Sequence, residues 1–386
     1  MFEIHEAFLH HGSRLAGGLV KRGLQAVNSG DDVNIHIDVP GWGVILIAST
    51  IIISALVLAS VRYTLTLVAT LAVVEEPQPT FGLATEKPLS DKDEVNTPLL
   101  PSELEAVAIV PKRITSKIRT TVRHITQRGG WRARWRGLKY YIALAICTGF
   151  TRKALSAVLT GGAHPSISTG YFAAHLISTV VAAVLNAKLH MLWVHTVLTV
   201  PGTQNLSTVA TFSQAIKKLA PALICNAVAT ECLIGLPMLT ANAYGLMSED
   251  SSNLLSTPEQ QFGALMVLLS AFATVFGLWF PSYVALIRVE ASLLPENAET
   301  MVPFDRTFGG MVVSVADGGC GQLRVLYAWD TVSTVWARLR LFGMFIRIAV
   351  VEVVLHIAFA CLIVMEVLQF ISPEDLEAIT RMMRPS

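Results

Sequence analysis

The apolar residues of this chain fall into long unbroken runs, with neither the alternation of a strand nor the one-sided stripe of a surface helix. A hydrocarbon core about 30 Å thick takes about 20 residues at a helical rise of about 1.5 Å each. Six runs approach or exceed that length: Trp42 to Val61, continuing as helix past Arg62 to Val74; Tyr140 to Phe150, interrupted by Arg152 and Lys153 before Ala154 to Thr160; Tyr171 to Val200; Leu219 to Ala241; Phe262 to Ile287; and Phe342 to Ile371. They exceed a barrel strand of about 10 residues and lack its period of two, so all six are predicted as helices. Pro237 and Pro281 are expected to kink the fourth and fifth.

The expected fold class is an all-α integral membrane protein, a bundle of six transmembrane helices with a small cytoplasmic β-hairpin. The layout is an extracytoplasmic segment 1–41, a first transmembrane helix 42–74, a cytoplasmic linker and basic amphipathic segment 75–139, transmembrane helices two to five within 140–287, a cytoplasmic loop with the hairpin 288–341, a sixth transmembrane helix 342–371 and a tail 372–386. No cleavable signal precedes the first span, which is expected to act as its own signal. Phe2, Phe8, Leu9, Leu15, Leu19 and Leu24 suit either a helix lying on the membrane surface or a loosely ordered tail.

Composition sharpens this picture. Of 386 residues, 53% are hydrophobic and 15% charged, against about 25% charged in a soluble domain. That excludes a soluble enzyme, a disordered chain and a disulfide scaffold. The 29 basic and 28 acidic residues nearly cancel, so the overall charge gives no pull toward nucleic acid. Basic residues sort the connections: Lys217 and Lys218 precede the fourth span, Arg288 follows the fifth, Arg338 and Arg340 precede the sixth, and Arg128, Arg132, Arg134, Arg136 and Lys139 precede the second. The positive-inside rule places these on the cytoplasmic side and both termini outside. The membrane is a plasma membrane or an endomembrane, since Glu3 and Glu6 do not suit a mitochondrial presequence.

Among the cytoplasmic parts, the Pro-rich, acidic stretch Glu75 to Pro111 reads as a flexible linker. Ile114, Ile118, Val122 and Ile125 then recur at helical spacing among lysines and arginines. Arg119, Arg123, Arg128, Trp131, Arg132, Trp135 and Arg136 form a candidate lipid-headgroup site with anionic lipids as partners; a plain topology signal is the other reading. Met311 to Val315, the turn Ala316 to Gly321, and Gln322 to Trp329 read as the two arms of a hairpin. The glycines lack the Lys-Ser/Thr of a phosphate loop, and no nucleic-acid fold accompanies the basic charge.

Inside the spans, ionisable groups are costly and mark function or helix pairing. The third span carries His175, Asn186 and His190 on one helical face, with Lys188 and His195 nearly opposite. Glu231 lies in the fourth span, and Glu352, His356 and Glu366 share a face of the sixth, where Glu352 and His356 are spaced to bond along their helix. These are the intramembrane polar candidates, either for a solute or proton pathway or for pairing with Arg152, Lys153 or Lys188. No catalytic residue, metal ligand set or cofactor is predicted. Glu352-x-x-x-His356 lacks a third ligand; Cys225 and Cys232, seven apart on one helix face, read as small packing residues rather than metal ligands, while Cys147 and Cys361 lie within spans.

Val180-Val-Ala-Ala-Val-Leu-Asn-Ala-Lys-Leu-His-Met-Leu-Trp-Val-His195 and Leu294-Pro-Glu-Asn-Ala-Glu-Thr-Met-Val-Pro-Phe-Asp-Arg-Thr-Phe-Gly-Gly310, with the six-span layout, resemble a group of poorly characterised fungal multi-spanning membrane proteins, some of them called ubiquitin carrier proteins. The resemblance implies a fungal membrane protein and no mechanism. Ubiquitin conjugation needs an accessible cysteine on a soluble α/β domain, and here Cys320 alone lies outside the spans. The expected activity is binding or transport of a small solute or lipid within the bundle. The alternatives are a non-catalytic scaffold on anionic lipid and, third, an enzyme whose mark would be a histidine and a carboxylate from different spans within about 3 Å. Protein partners stay open. On this topology the sequon Asn205-Leu-Ser207 faces the cytoplasm and carries no glycan; a mass shift on deglycosylation at Asn205 contradicts the orientation.

Overall fold

The computed structural model describes residues 40–76, 80–81, 108–109, 113–161, 169–202, 211–246, 258–295, 298–312, 321–332 and 334–370. The N-terminal segment, most of the Pro-rich linker, Asn205, Cys320 and the C-terminal tail lie outside them. The helices are α1 (Gly41–Val74), α2 (Ile118–Gly129), α3 (Leu138–Thr160), α4 (Thr169–Leu185), α5 (Ala187–Leu198), α6 (Phe212–Ala243), α7 (Pro258–Ala273), α8 (Phe280–Ser292), α9 (Val325–Ala328) and α10 (Val335–Leu368). Tight helical turns at Ile114–Ser116 and Trp131–Trp135 flank α2, and a wider π turn, Thr274–Trp279, joins α7 to α8. Two-residue strands β1 (Thr80–Phe81) and β2 (Ala108–Ile109) pair antiparallel.

Among the described residues, five helical stretches are long and apolar enough to cross a bilayer: Gly41–Val74, Trp131–Thr160, Phe212–Ala243, Pro258–Ser292 and Val335–Leu368. A sixth is present if α4 and α5, bent by 60° at Asn186, count as one span. The chain is therefore an all-α, membrane-spanning protein.

Burial divides these helices into two zones. From Gly41 to Ser60, α1 turns large apolar side chains outward, with Ile45 71% and Leu56 66% exposed; from Tyr63 on, every apolar side chain is buried, and Val68, Leu71, Val73 and Val74 wholly so. Twenty residues of the first part cover about 30 Å, the depth of the hydrocarbon core. The other helices divide likewise. α8 is buried almost throughout while α7 exposes Leu268 and Phe272; α10 is anchored by Leu341, Met344, Phe345 and Ile348 and exposes Val350, Val353, Val354 and Ile357 beyond them. Outward apolar surface of this extent is stable only against lipid.

The buried zone is a cap of protein at one end of the bundle. Its core is the far half of α1 packed with α5 and α8. Glu75, at the end of α1, accepts N–H bonds from Ile114 (2.5 Å) and Thr115 (2.9 Å) and also binds the Thr115 hydroxyl, so it caps the turn before α2. Arg288, 3% exposed, donates to the Val73 carbonyl (3.1 Å), Glu76 (2.9 Å) and the Thr331 hydroxyl (2.6 Å), and lies over the Phe308 ring. Thr199 pairs with Thr300, and Gln322 donates to the Lys218 carbonyl. In the loop 298–312, Arg306 donates to the Pro295 and Ala298 carbonyls. Burial pushes the Asp305 carboxyl up, but bonds from the Gly309 N–H and from Thr307 outweigh it and hold the group below its usual range. The segments that carry the basic residues thus fold together at one end.

Two expectations are corrected. The second arm of the hairpin is not a strand: Val325–Ala328 is a helical turn, because Leu323 and Ala328 are both needed, fully buried, against α8, which a flat strand would not allow. Most of the first arm and the turn lie outside the described residues. The third span is not one straight helix. Asn186, with poor helix propensity, bonds its side-chain amide back to the Ala182 carbonyl (2.9 Å), and the chain turns there so that Met191, Val194, Val197 and Leu198 enter the cap. Pro237 and Pro221 lie within an unbroken α6, whereas Pro281, which cannot donate to a carbonyl one turn back, follows the π turn.

Breaking a buried ion pair by removing one partner costs about 3 kcal/mol. Arg288→Ala is expected to lower the thermal unfolding midpoint in detergent by several degrees, with Glu76→Gln milder because Glu76 is partly exposed. An unchanged midpoint for Arg288→Ala would remove the cap's central tie.

Candidate functional site

The two zones meet around a cavity of about 150 Å³. Its floor, at the cap, is aromatic. Tyr141 of α3 packs edge-on against Tyr63 of α1 at 5.0 Å and against Trp193 of α5 at 5.4 Å, with Tyr283 of α8 beside them. Its walls are Leu144, Ala145, Thr148, Gly149 and Arg152 of α3, Thr179 and Ala183 of α4, and Leu223, Asn226, Ala227 and Thr230 of α6. The wall is mostly apolar with a few polar groups, as ligand pockets are. Gly149 has open space where a Cβ would stand.

Two charged arrangements border it. Arg152 lies 3.7 Å from Glu231, which also accepts the Thr179 hydroxyl at 2.5 Å, so α3, α4 and α6 are joined at one depth. His190, in the cavity wall, places Nδ1 2.6 Å from Oε1 of Glu290, which is completely buried. That bond fixes the ring and leaves Nε2 as the nitrogen for other contacts. His195 reaches the Glu290 backbone carbonyl at 3.0 Å. Among the described residues, Oε2 of Glu290 and Nδ1 of His195 are buried without a hydrogen-bond partner.

The candidate residues are therefore regrouped. The face shared by His175, Asn186 and His190 does not survive the bend, and only His190 lines the cavity. His175 bonds Ser156 (3.2 Å) and packs on Tyr171, tying α4 to α3. His190 and His195, expected on opposed faces, straddle Glu290. Lys188 is half-buried on the first turn of α5 and does not line the cavity. In α10, His356 bonds the backbone carbonyl of Glu352 (2.7 Å) rather than its carboxylate, whose Oε1 is buried with no hydrogen-bond partner among the described residues. Glu366 accepts the Thr50 hydroxyl of α1 at 2.7 Å. None of the three reaches the cavity, because α10 packs along α1, away from α4 and α6. Of the two cysteines read as packing residues, Cys225 is exposed and Cys232 is half-buried.

The basic segment is also redistributed. Ile125 and Thr121 are buried and Ile118 and Val122 pack on the core, so the apolar face of α2 binds protein. α2 stands beside the far half of α1: its start is tied to Glu75, while Trp135, just past its end, donates to Ser60 at 3.1 Å. Those ties are about 22 Å apart along α1. Arg136 caps the end of α5, donating to the Thr199 carbonyl, the Thr199 hydroxyl (3.2 Å) and the Val200 carbonyl (3.1 Å). Arg128 reaches the Thr300 carbonyl (3.1 Å) and Glu299 (3.8 Å). Arg119 and Arg123 are exposed on the outer face of α2; Trp131 and Arg132 are exposed next to Trp135, at the edge of the lipid-facing zone.

Glu290 escapes a reading of the sequence because it follows Arg288, where the polar loop was expected to begin; the signal was the apolar helical pattern that continues through Ala291 to Leu294. The His190–Glu290 pair meets the distance set for an enzyme. No hydroxyl among the described residues is hydrogen-bonded to His190, however, so no nucleophile–base pair is assembled around that ring. The described residues hold no cluster of three potential metal ligands. No protein-family model, curated protein or solved structure matches the chain.

Removing the acceptor of His190 inside a closed site costs about 2 kcal/mol. Glu290→Ala is thus expected to unfold several degrees earlier than the unaltered chain, while Lys188→Ala stays within about 0.5 kcal/mol. Equal midpoints for the two would place the polar centre elsewhere.

Proposed function

We propose that this is a multi-pass membrane protein that binds, and moves within or across the bilayer, a small solute or a lipid through the cavity between α3, α4, α5 and α6. The observation that carries the reading is the wall itself, in which Arg152, His190 and Asn226 converge on a space otherwise bounded by apolar and aromatic side chains. A dry cavity of about this volume holds a molecule of about benzene size, so the bound part is a small group. Arg152, paired with Glu231, offers five N–H donors and no acceptor, none of the described residues lining the space is a carboxylate, and the chemistry favours an anionic or acceptor-rich group.

The test is a thermal-shift series on the purified chain in nanodiscs with short-chain carboxylates, alkyl phosphates and their neutral analogues. At least one anionic compound is expected to raise the midpoint, with about tenfold weaker apparent affinity in Arg152→Gln and in the cavity-filling Gly149→Leu, and no change in the exposed neighbour Lys153→Gln. Equal response of all variants, or none in the unaltered chain, contradicts the reading.

A second reading, membrane anchoring on anionic lipid, is favoured by the exposure of Trp131 and Arg132 at the level of Ser60, where indoles and guanidinium groups meet headgroups. It narrows the expected contact from the whole basic segment to this turn and is compatible with the first.

A further inference from the structure

The cavity is closed on most sides and thin on one. Thr66 of α1, Leu223, Ala227 and Thr230 of α6, Thr179 of α4 and Tyr283 of α8 are buried. Beyond Tyr141, every residue that α3 contributes is only partly covered. The reason lies in how the helices are paired. In the lipid-facing zone α1 packs along α10, and α3 packs along α4 and against α5. α1 and α3, which flank the cavity, do not pack along each other. Their ties lie at the cap: the Tyr63–Tyr141 contact, and the bond from the Tyr63 hydroxyl to the Arg136 carbonyl just before α3. Past that point the two helices part where both present apolar side chains outward: Ile52, Ile53 and Leu56 on α1, Ile142, Ile146 and Phe150 on α3. At the cap end the way is blocked by Tyr63, Tyr141 and Trp193.

From this geometry we infer that the cavity opens sideways into the hydrocarbon between α1 and α3, and that its ligand is an amphiphile dissolved in the membrane, with an anionic head at Arg152 and an apolar tail in the gap between the two helices. The inference rests on the binding reading above and names its ligand class. The space suits a head and not a whole lipid, and the two helices beside the gap expose isoleucine, leucine and phenylalanine. A tail left in that gap stays in contact with lipid, so binding requires that the head exchange headgroup water for the hydroxyls of the wall and share the Arg152 guanidinium with Glu231.

The test uses the full chain in phosphatidylcholine nanodiscs containing a small fraction of either phosphatidic acid or phosphatidylcholine with a diazirine in one acyl chain; a third sample contains a water-soluble diazirine carboxylate. After irradiation, adducts are mapped by mass spectrometry. The expected result is at least fivefold more labelling of the α1 and α3 residues flanking the gap by the phosphatidic acid than by the phosphatidylcholine. The excess should be lost in Arg152→Gln and in Gly149→Leu, while the outer face of α7 around Leu268 and Phe272 is labelled equally by both lipids. Equal labelling of the gap by the two lipids, unchanged in either variant, means ordinary surrounding lipid and overturns the inference. If instead the soluble carboxylate labels Leu144 to Arg152 and the lipids do not, a cavity that binds its ligand from water remains and the sideways opening is wrong. Gly149→Leu adds a side chain into open space, so it reports on the cavity even if Arg152→Gln fails to fold.

Discussion

The architecture depends on one transition along α1. Within a few residues after Ser60, a helix that turns isoleucine and leucine outward becomes one whose side chains are sealed on every side, down to zero exposure at Val68, Leu71, Val73 and Val74. A single helix therefore lies in two solvents, hydrocarbon for its first half and protein for its second. The second half sets the position of the cap: α5 and α8 pack on it, Glu75 at its end fixes the turn before α2, and Arg288 bonds its last carbonyls and Glu76. Burial of this much apolar surface, at about 25 cal/mol per Å², is a driving force that lipid-facing segments lack, since hydrocarbon tails are as apolar as leucine.

The same arrangement positions the cavity. Because the cap ties the helices together at one end, the lipid-facing halves need not all pack on each other, and they separate into α1 with α10 on one side and α3, α4, α6 and α7 on the other. The cavity sits where these groups diverge. Its aromatic floor belongs to the cap, and its polar wall, Arg152 with Glu231 behind it, belongs to the bundle. Rigid support at the floor and incomplete packing at the side are what a site filled from the bilayer requires.

The membrane-spanning class and the helical runs were legible in the sequence, because the length and apolarity of a span are one-dimensional properties. So was the sorting of the basic connections to one end, since Lys217, Arg288 and the residues before α3 lie together there. What the residues did not reveal is partnership. An apolar stripe at Ile118, Val122 and Ile125 reads the same whether it meets lipid or protein, and only the fold shows that it meets α1 and its neighbours. The shared face of His175, Asn186 and His190 assumed a straight helix, and a single asparagine with a side-chain bond to Ala182 undid it. Glu290 was hidden by its place beyond Arg288, although it holds His190, which reaches the cavity. Val325 to Ala328 looked like a strand because β-branched and aromatic residues cluster there, but packing on α8 outweighed propensity.

The central claim is the change of solvent along α1. Spin labels placed singly from Ile45 to Leu71 in bilayers, with collision rates measured against oxygen and against a water-soluble nickel complex, test it most directly. High oxygen and low nickel accessibility is expected at Ile45, Ile52 and Leu56, and low accessibility to both at Val68 and Leu71. High oxygen accessibility at Val68 and Leu71 would put that half of the helix in hydrocarbon and contradict the cap.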